Sequence, residues 1–207
     1  MISISSLVVS AGAAFCWWKS AQVPVLLLAA PVLCYLRLWF NMLDGMVALA
    51  ADQAGPTGEI FNDLPDRISD LLIFIGVAHS GLCTPLIAYW AAILALLTAY
   101  VGTLGQAVGA RREYGGIMSK PWRMVALHAG AWGAFAAGPG IPILDWTCGA
   151  VILGCVETVV VRLHRIFHTL KEREGPRERT HDDRAHVPDL GPRAPVLPGV
   201  AARTRRS

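Results

Sequence analysis

The chain has 207 residues, of which 54% are hydrophobic and 16% are charged, and its formal net charge is +3. Soluble domains carry about 25% charged residues, so this composition argues against a soluble globule. The small positive charge is weighted toward the C-terminus and forms no basic face of the kind that nucleic-acid binding requires. We therefore expect membrane lipids as partners and no nucleic acid.

Apolar segments recur along most of the chain. A helix that crosses a bilayer needs about 20 mostly apolar residues. In chain order, we predict helices at residues 2–17, 23–51, 60–78, 85–104, 124–137 and 143–163. The sequence thus predicts an all-α, polytopic membrane protein with about six transmembrane helices.

The second and third predicted helices are joined by a turn rich in glycine and proline at residues 51–58, which predicts an antiparallel hairpin. Short loops rich in lysine and arginine stay in the cytoplasm. Such residues flank the connection between the fourth and fifth helices and follow the sixth, at Arg111, Arg112, Lys120, Arg123, Arg162, Arg165, Lys171 and Arg173. We therefore expect a multi-pass protein of the inner, cytoplasmic membrane, with both termini and the turn of the hairpin in the cytoplasm.

Charged residues and prolines dominate the C-terminal region from Lys171 onward, where large apolar residues are scarce. Such a composition cannot bury enough apolar surface to fold alone. We predict a membrane domain at residues 1–170 and a disordered, charged tail at residues 171–207.

Acidic residues, which are costly in a membrane and often mark a functional site, concentrate in the predicted hairpin. They are Asp44, Asp52, Glu59, Asp63, Asp66 and Asp70. Asn41 and Asp44 share one helix face, and the i, i+4, i+8 spacing of Asn62, Asp66 and Asp70 places these three on one face of the next helix. Carboxylate and amide oxygens suit hard cations such as Mg²⁺ and Mn²⁺, so the two faces predict a metal site on the cytoplasmic side.

The spacing of these residues resembles the signature of the CDP-alcohol phosphatidyltransferases, D-x-x-D-G-x-x-A-R, then eight residues, then G-x-x-x-D-x-x-x-D. This chain has Asn41-x-x-Asp44-Gly45-x-x-Ala48-Leu49, eight residues, and Gly58-x-x-x-Asn62-x-x-x-Asp66. The spacing matches throughout. Asn41 and Asn62 replace two of the four motif aspartates, and Leu49 replaces the motif arginine.

The resemblance implies an enzyme of phospholipid biosynthesis. It would transfer a phosphatidyl or related phospho-alcohol group from a CDP-alcohol, such as CDP-diacylglycerol, to an acceptor alcohol and release CMP. Asp66 matches the family's presumed general base. The implied cofactor is Mg²⁺ or Mn²⁺, for which the candidate ligands are Asn41, Asp44, Asn62 and Asp66, with Asp70 one turn beyond. The CDP group would lie near Gly45, Ala48 and Gly58, because small residues let a nucleotide approach the backbone closely.

A second feature, Gly115-Gly116-x-x-Ser119-Lys120-x-x-Arg123, resembles the family's basic loop before its fifth helix. It implies that Lys120 and Arg123 bind a phosphate of the acceptor or of the lipid. The alternative is that these two cations only set the topology.

Two other classes of function compete with the transferase. A non-catalytic relative would keep the hairpin as a lipid-binding or scaffold element, and the two asparagines would then mark lost metal chemistry. A transporter would carry acidic residues near the bilayer midplane and inverted repeats, and the sequence has neither convincingly. The resemblance also implies a possible homodimer, while the acceptor alcohol and the number of metal ions stay open.

Overall fold

The computed structural model describes residues 2–50, 56–110, 113–138 and 140–185. These residues form six α-helices: α1 (Ile2–Lys19), α2 (Leu26–Ala50), α3 (Pro56–Ala78), α4 (Pro85–Ala107), α5 (Lys120–Ala137) and α6 (Ile143–Ala185). No strand occurs in this part of the chain. The predicted all-α class is confirmed.

Within the described residues, three helical segments are long and apolar enough to cross a membrane, judged by length and composition: Leu26–Leu43, Pro85–Ala107 and Ile143–Glu172. Helix α3 is also long, at 23 residues, but it carries four of the hairpin carboxylates, Glu59, Asp63, Asp66 and Asp70. Helices α1 and α5 have 18 residues each. That the chain crosses the membrane six times remains a prediction.

Helix α6 continues well beyond the apolar segment from which it was predicted. The chain divides into two units, Met1–Leu170 and Lys171–Ser207, and the described residues of the second unit, 171–185, are helical. That residues 171–207 form a disordered, charged tail remains a prediction. Lysine, arginine and glutamate are good helix formers, and extending an existing helix avoids the cost of nucleation. Residues 186–207 lie outside the described part of the chain.

The helices pack around α2 and α3. Helix α1 contacts both of them, α3 also packs against α4, and α2 packs against α5. The largest buried apolar side chains come from α1, α3, α5 and α6, and they include Trp17, Ile73, Phe74, Val77, Met124, Leu127, Leu144 and Val151. Polar side chains on one face of α3 form ion pairs with residues of α2 and α5.

Gly76 brings the backbones of α1 and α3 into close contact. A Cβ atom built on Gly76 would lie 2.5 Å from the backbone oxygen of Ala14. Small residues commonly allow such close approach of helices in membranes. We expect Gly76→Ala to lower the free energy of unfolding by about 1–3 kcal/mol, as overpacking does in other cores, and to lower the melting temperature in detergent.

Gly149→Ala is the matched control for this prediction, because a Cβ atom on Gly149 in α6 would meet no atom within 4 Å. Equal melting temperatures for the two variants would contradict the close contact between α1 and α3.

Candidate active site

Asp66 of α3 is a buried carboxylate that three donors from two other helices contact. From α2, Nη2 of Arg37 donates to both the backbone oxygen and Oδ1 of Asp66, each at 2.7 Å. Nδ2 of Asn41 and Nζ of Lys120 donate to the same Oδ1. Helices α2, α3 and α5 therefore meet at one carboxylate oxygen, while Oδ2 lies 3.7 Å from Nη1 of Arg67.

Lys120 is the first residue of α5 and precedes the predicted span at 124–137. Burial lowers the pKa of its amino group, and the nearby Arg37 lowers it further. Asp66 and Asp70 act in the opposite direction. The carboxylates thus offset part of the cost of holding an ammonium group here.

Asp70, one turn beyond Asp66, lies between two arginines. Its Oδ1 is 2.8 Å from Nη1 of Arg37, and its Oδ2 accepts a hydrogen bond from Nη2 of Arg123 at 3.0 Å. Arg37, Asp70 and Arg123 are 0%, 5% and 2% exposed. Buried charges are tolerated when they are paired, and these three groups supply one another's partners.

Arg123 of α5 also contacts α4 and the loop that precedes α5. Its Nη1 donates to Oγ1 of Thr98 in α4 and to the backbone oxygen of Met118, each at 3.2 Å. Arg162 of α6 donates to the backbone oxygens of Gly115, at 2.9 Å, and Thr98, at 2.5 Å. Arg123 and Arg162 therefore both contact Thr98 of α4.

The loop before α5 is fixed against α6. The backbone amides of Ile117 and Met118 donate to Oε2 of Glu157, at 3.1 Å, and to Oγ1 of Thr158, at 3.0 Å. Gly116 has a φ of +107°, and a Cβ atom there would overlap the side chain of Thr158. A glycine is therefore required for this loop to place Lys120 beside Asp66.

Two cavities adjoin Asp66 and Lys120. The first, of about 450 Å³, lies between α3, α4, α5 and α6, and its charged lining consists of Asp63, Asp66, Arg67, Glu113, Lys120, Arg123 and Arg162. The second, of about 430 Å³, is lined mainly by large apolar and aromatic side chains of α2, namely Tyr35, Leu38, Trp39 and Met42. The carboxylate of Asp66 thus lines both a strongly charged cavity, with four cationic and three acidic side chains, and a largely apolar one.

The structure brings together five of the residues that the sequence singled out: Asn41, Asp66, Asp70, Lys120 and Arg123. The backbones of Asp44, Gly45 and Ala48 lie in α2 and that of Asn62 lies in α3, but their side chains are outside the described residues. Gly58, near the start of α3, is exposed. The metal and CDP assignments of these four residues and Gly58 stay predictions.

Sequence reasoning missed Arg37, although a signal for it existed. Arg37 is the only charged residue in the apolar segment Leu26–Leu43, and an isolated arginine in such a segment is costly enough to suggest a function. It also precedes Asn41 by four residues, which places the two on one helix face.

Comparisons with known proteins identify the family. No protein-family model matches the sequence. The chain is 31% identical over 117 residues to the inner membrane protein YnbA of Escherichia coli K12, covering 56% of this chain and 57% of that protein. It is 30% identical over 152 residues to the phosphatidylinositol phosphate synthase of Mycobacterium tuberculosis H37Rv, covering 68% of each chain. The chain belongs to the CDP-alcohol phosphatidyltransferase family.

Solved structures of family members share the fold. The M. tuberculosis phosphatidylinositol phosphate synthase in complex with manganese and citrate matches with a TM-score of 0.67 and 21% identity, covering 80% of each chain. The same enzyme with CDP-DAG bound matches with a TM-score of 0.64 and 22% identity, over 80% of this chain and 84% of that one. The family and the helical membrane fold expected from the motif are therefore confirmed.

Proposed function

We propose that this protein transfers a phosphatidyl or related phospho-alcohol group from a CDP-alcohol, such as CDP-diacylglycerol, to an acceptor alcohol and releases CMP. Family membership supports the reaction class. The chain spans only 57% of the first relative and 68% of the second, so the activity itself is part of the proposal.

The position of Asp66 between two cavities of opposite character carries this proposal. A CDP-linked lipid has an apolar part and an anionic diphosphate, and its reacting phosphorus lies where the two parts join. The largely apolar cavity beside α2 suits the lipid end, and the cavity with Arg67, Arg123 and Arg162 suits anionic groups. A carboxylate that adjoins both lies where the acceptor hydroxyl must be deprotonated.

In the proposed reaction, the acceptor oxygen attacks the phosphorus that bears the lipid, and the bond from that phosphorus to the CMP oxygen breaks. Asp66 accepts the hydroxyl proton, and CMP leaves. Arg37 and Asn41 hold the Asp66 carboxylate in place by hydrogen bonds, which leaves it oriented for proton transfer. Lys120 and Arg123 hold anionic oxygens of the substrates.

A divalent cation fits part of this site. Oδ1 of Asp66 accepts from the Lys120 ammonium group, the Arg37 guanidinium group and the Asn41 amide. An oxygen that attracts cations in this way is expected at a metal-binding position. Asp44 and Asn62, the matching motif positions, add oxygen donors of the kind that Mg²⁺ or Mn²⁺ prefers. When bound, such an ion neutralises the diphosphate and the leaving group.

Two of the predicted metal ligands are engaged with protein groups instead. Asn41 donates through Nδ2 to Asp66 and accepts a hydrogen bond from Ser6 at Oδ1, at 3.1 Å. Both carboxylate oxygens of Asp70 lie within 3.0 Å of arginine nitrogens. At Asp66 the close donors are on Oδ1, while Oδ2 lies 3.7 Å from Nη1 of Arg67. We therefore assign the ion to Asp44, Asn62 and Asp66, and we assign Asn41 and Asp70 to holding the charged groups around them.

The acceptor alcohol is proposed to carry a phosphate. Four cationic side chains line the larger of the two cavities beside Asp66, namely Arg67, Lys120, Arg123 and Arg162. The name of the M. tuberculosis relative, phosphatidylinositol phosphate synthase, denotes a product with such a group. Carboxylates already pair with three of these side chains, and a phosphate on the acceptor would add a second anionic partner for them.

The membrane placement is also part of the proposal. The apolar helices and the E. coli relative, named an inner membrane protein, support a multi-pass protein of the inner membrane. The distribution of basic residues supports a site that faces the cytoplasm. A homodimer remains a prediction from the family resemblance.

The test is release of CMP from CDP-diacylglycerol by the purified protein in detergent, with Mg²⁺ or Mn²⁺ and paired acceptors that differ only by a phosphate, such as inositol and inositol phosphate. We expect metal-dependent release that the phosphorylated acceptor stimulates more strongly. Lys120→Met should abolish most of this preference. No release with any acceptor, from protein shown to be folded, would contradict the transferase and favour a lipid-binding relative.

A further inference from the structure

Arg37 is a fully buried cation that spans two carboxylates on one face of α3. Its Nη2 lies 2.7 Å from Oδ1 of Asp66, and its Nη1 lies 2.8 Å from Oδ1 of Asp70. Its side chain is 0% exposed. A guanidinium group in this position compensates two negative charges from a point between them, which is also what a bridging metal ion does.

The sequence around Arg37 carries less negative charge than the family signature. Asn41 and Asn62 stand where the signature has aspartates, so two negative charges are missing from the motif. Arg37, four residues before Asn41, adds a positive charge to the same helix face. All three features reduce the capacity of the site to hold positive ions.

The orientation of Asn41 also makes the site less suited to hold a cation. Oγ of Ser6 donates to its Oδ1 at 3.1 Å, while its Nδ2 faces Oδ1 of Asp66. Since a hydroxyl can donate to the amide oxygen and the carboxylate can only accept, these two contacts define which end of the amide faces Asp66. Asn41 therefore presents a donor where a motif aspartate would present a ligand.

We infer that Arg37, together with the Asn41 amide, takes the place of one divalent ion, so that this chain binds a single Mg²⁺ or Mn²⁺ where four motif aspartates could hold two. The inference rests on the proposed function for the presence of an ion at this site. Arg37 is a positioning residue, because it acts on the reaction through Asp66 and Asp70.

The test is a titration of the purified, detergent-solubilised protein with Mn²⁺, in which electron paramagnetic resonance counts the bound ions. Asp66→Ala identifies those that belong to the site. We expect one site-specific ion per chain in the native sequence. A triple variant, Arg37→Met with Asn41→Asp and Asn62→Asp, should bind two. Arg37→Met alone should tighten the single site by roughly tenfold or more, because a neighbouring positive charge is removed.

Two further variants separate this role from a purely structural one. Arg37→Lys keeps the charge and should retain a single ion with an affinity close to native, whether or not it lowers the melting temperature. Lys19→Met removes a cation that lies over the ring of Trp18, far along the chain from the site, and should leave Mn²⁺ binding unchanged.

Two site-specific ions in the native protein, or none, would overturn the inference, and so would an Arg37→Met affinity equal to that of the native chain. The proposed function fails by a different result, namely one bound ion but no release of CMP with any acceptor.

Discussion

Replacing Asp66 with asparagine is expected to lower the rate of CMP release by roughly 10²- to 10⁴-fold, the usual contribution of a positioned general base. Asparagine keeps the shape of the side chain but cannot take the hydroxyl proton. It also removes the negative charge that Arg37 and Lys120 contact. The measurement is the initial rate of CMP release at saturating acceptor, with circular dichroism to verify that the helices are retained.

Asp145→Asn is the control for the effect of Asp66. This carboxylate, near the start of α6, accepts hydrogen bonds from the backbone amide, at 2.6 Å, and the hydroxyl of Thr84, at 3.0 Å, and it lines a cavity to which Asp66 does not contribute. The Asp145 variant should keep the native rate within a few-fold. An Asp66→Asn protein as active as the Asp145 variant would exclude Asp66 as the base.

Asp70→Asn is expected to cause the largest loss of stability among single changes in the hairpin. The carboxylate is the shared partner of Arg37 and Arg123. Its removal leaves the buried Arg123 with neutral acceptors in the described part of the chain and leaves Arg37 paired with Asp66. Breaking a buried ion pair by removing one partner costs about 3–5 kcal/mol. The measurement is the free energy of unfolding from denaturant titration in mixed micelles, together with the thermal melting temperature.

Asp63→Asn provides a matched control on the same helix. Asp63 pairs with Arg67 at 2.7 Å, but the two side chains are 30% and 20% exposed. An i, i+4 ion pair near solvent contributes only about 0.3–0.5 kcal/mol. If the two asparagine variants lost similar stability, the contacts of Asp70 would not form the buried network described above.

Much of the fold was predictable because apolar segments in a membrane protein have few alternatives to helix. The start of α4 at Pro85 and the end of α3 at Ala78 follow the sequence closely, since a proline and a polar turn define them. The end of α6 was not predictable from apolarity, because its last residues are charged helix formers that extend a helix already begun.

The candidate site was predictable where it depends on spacing along one helix. Asp66 and Asp70 share a face of α3 as expected from their i, i+4 relation. What spacing could not show is which partner each carboxylate has, because that depends on how α2, α3 and α5 pack. Asp70 was predicted as a metal ligand from its position, which stays a prediction, and its contacts with Arg37 and Arg123 could not be read from spacing.

The most direct test of phosphatidyl transfer is to follow both products from one incubation with an acceptor whose attacking hydroxyl carries ¹⁸O. Mass spectrometry would then locate the label in CMP, in the phospholipid or in neither. Attack by the acceptor at the lipid-bearing phosphorus predicts equal amounts of CMP and new phospholipid, with the ¹⁸O in the phospholipid alone. CMP formed without a labelled phospholipid, at a rate that the acceptor does not change, would contradict phosphatidyl transfer.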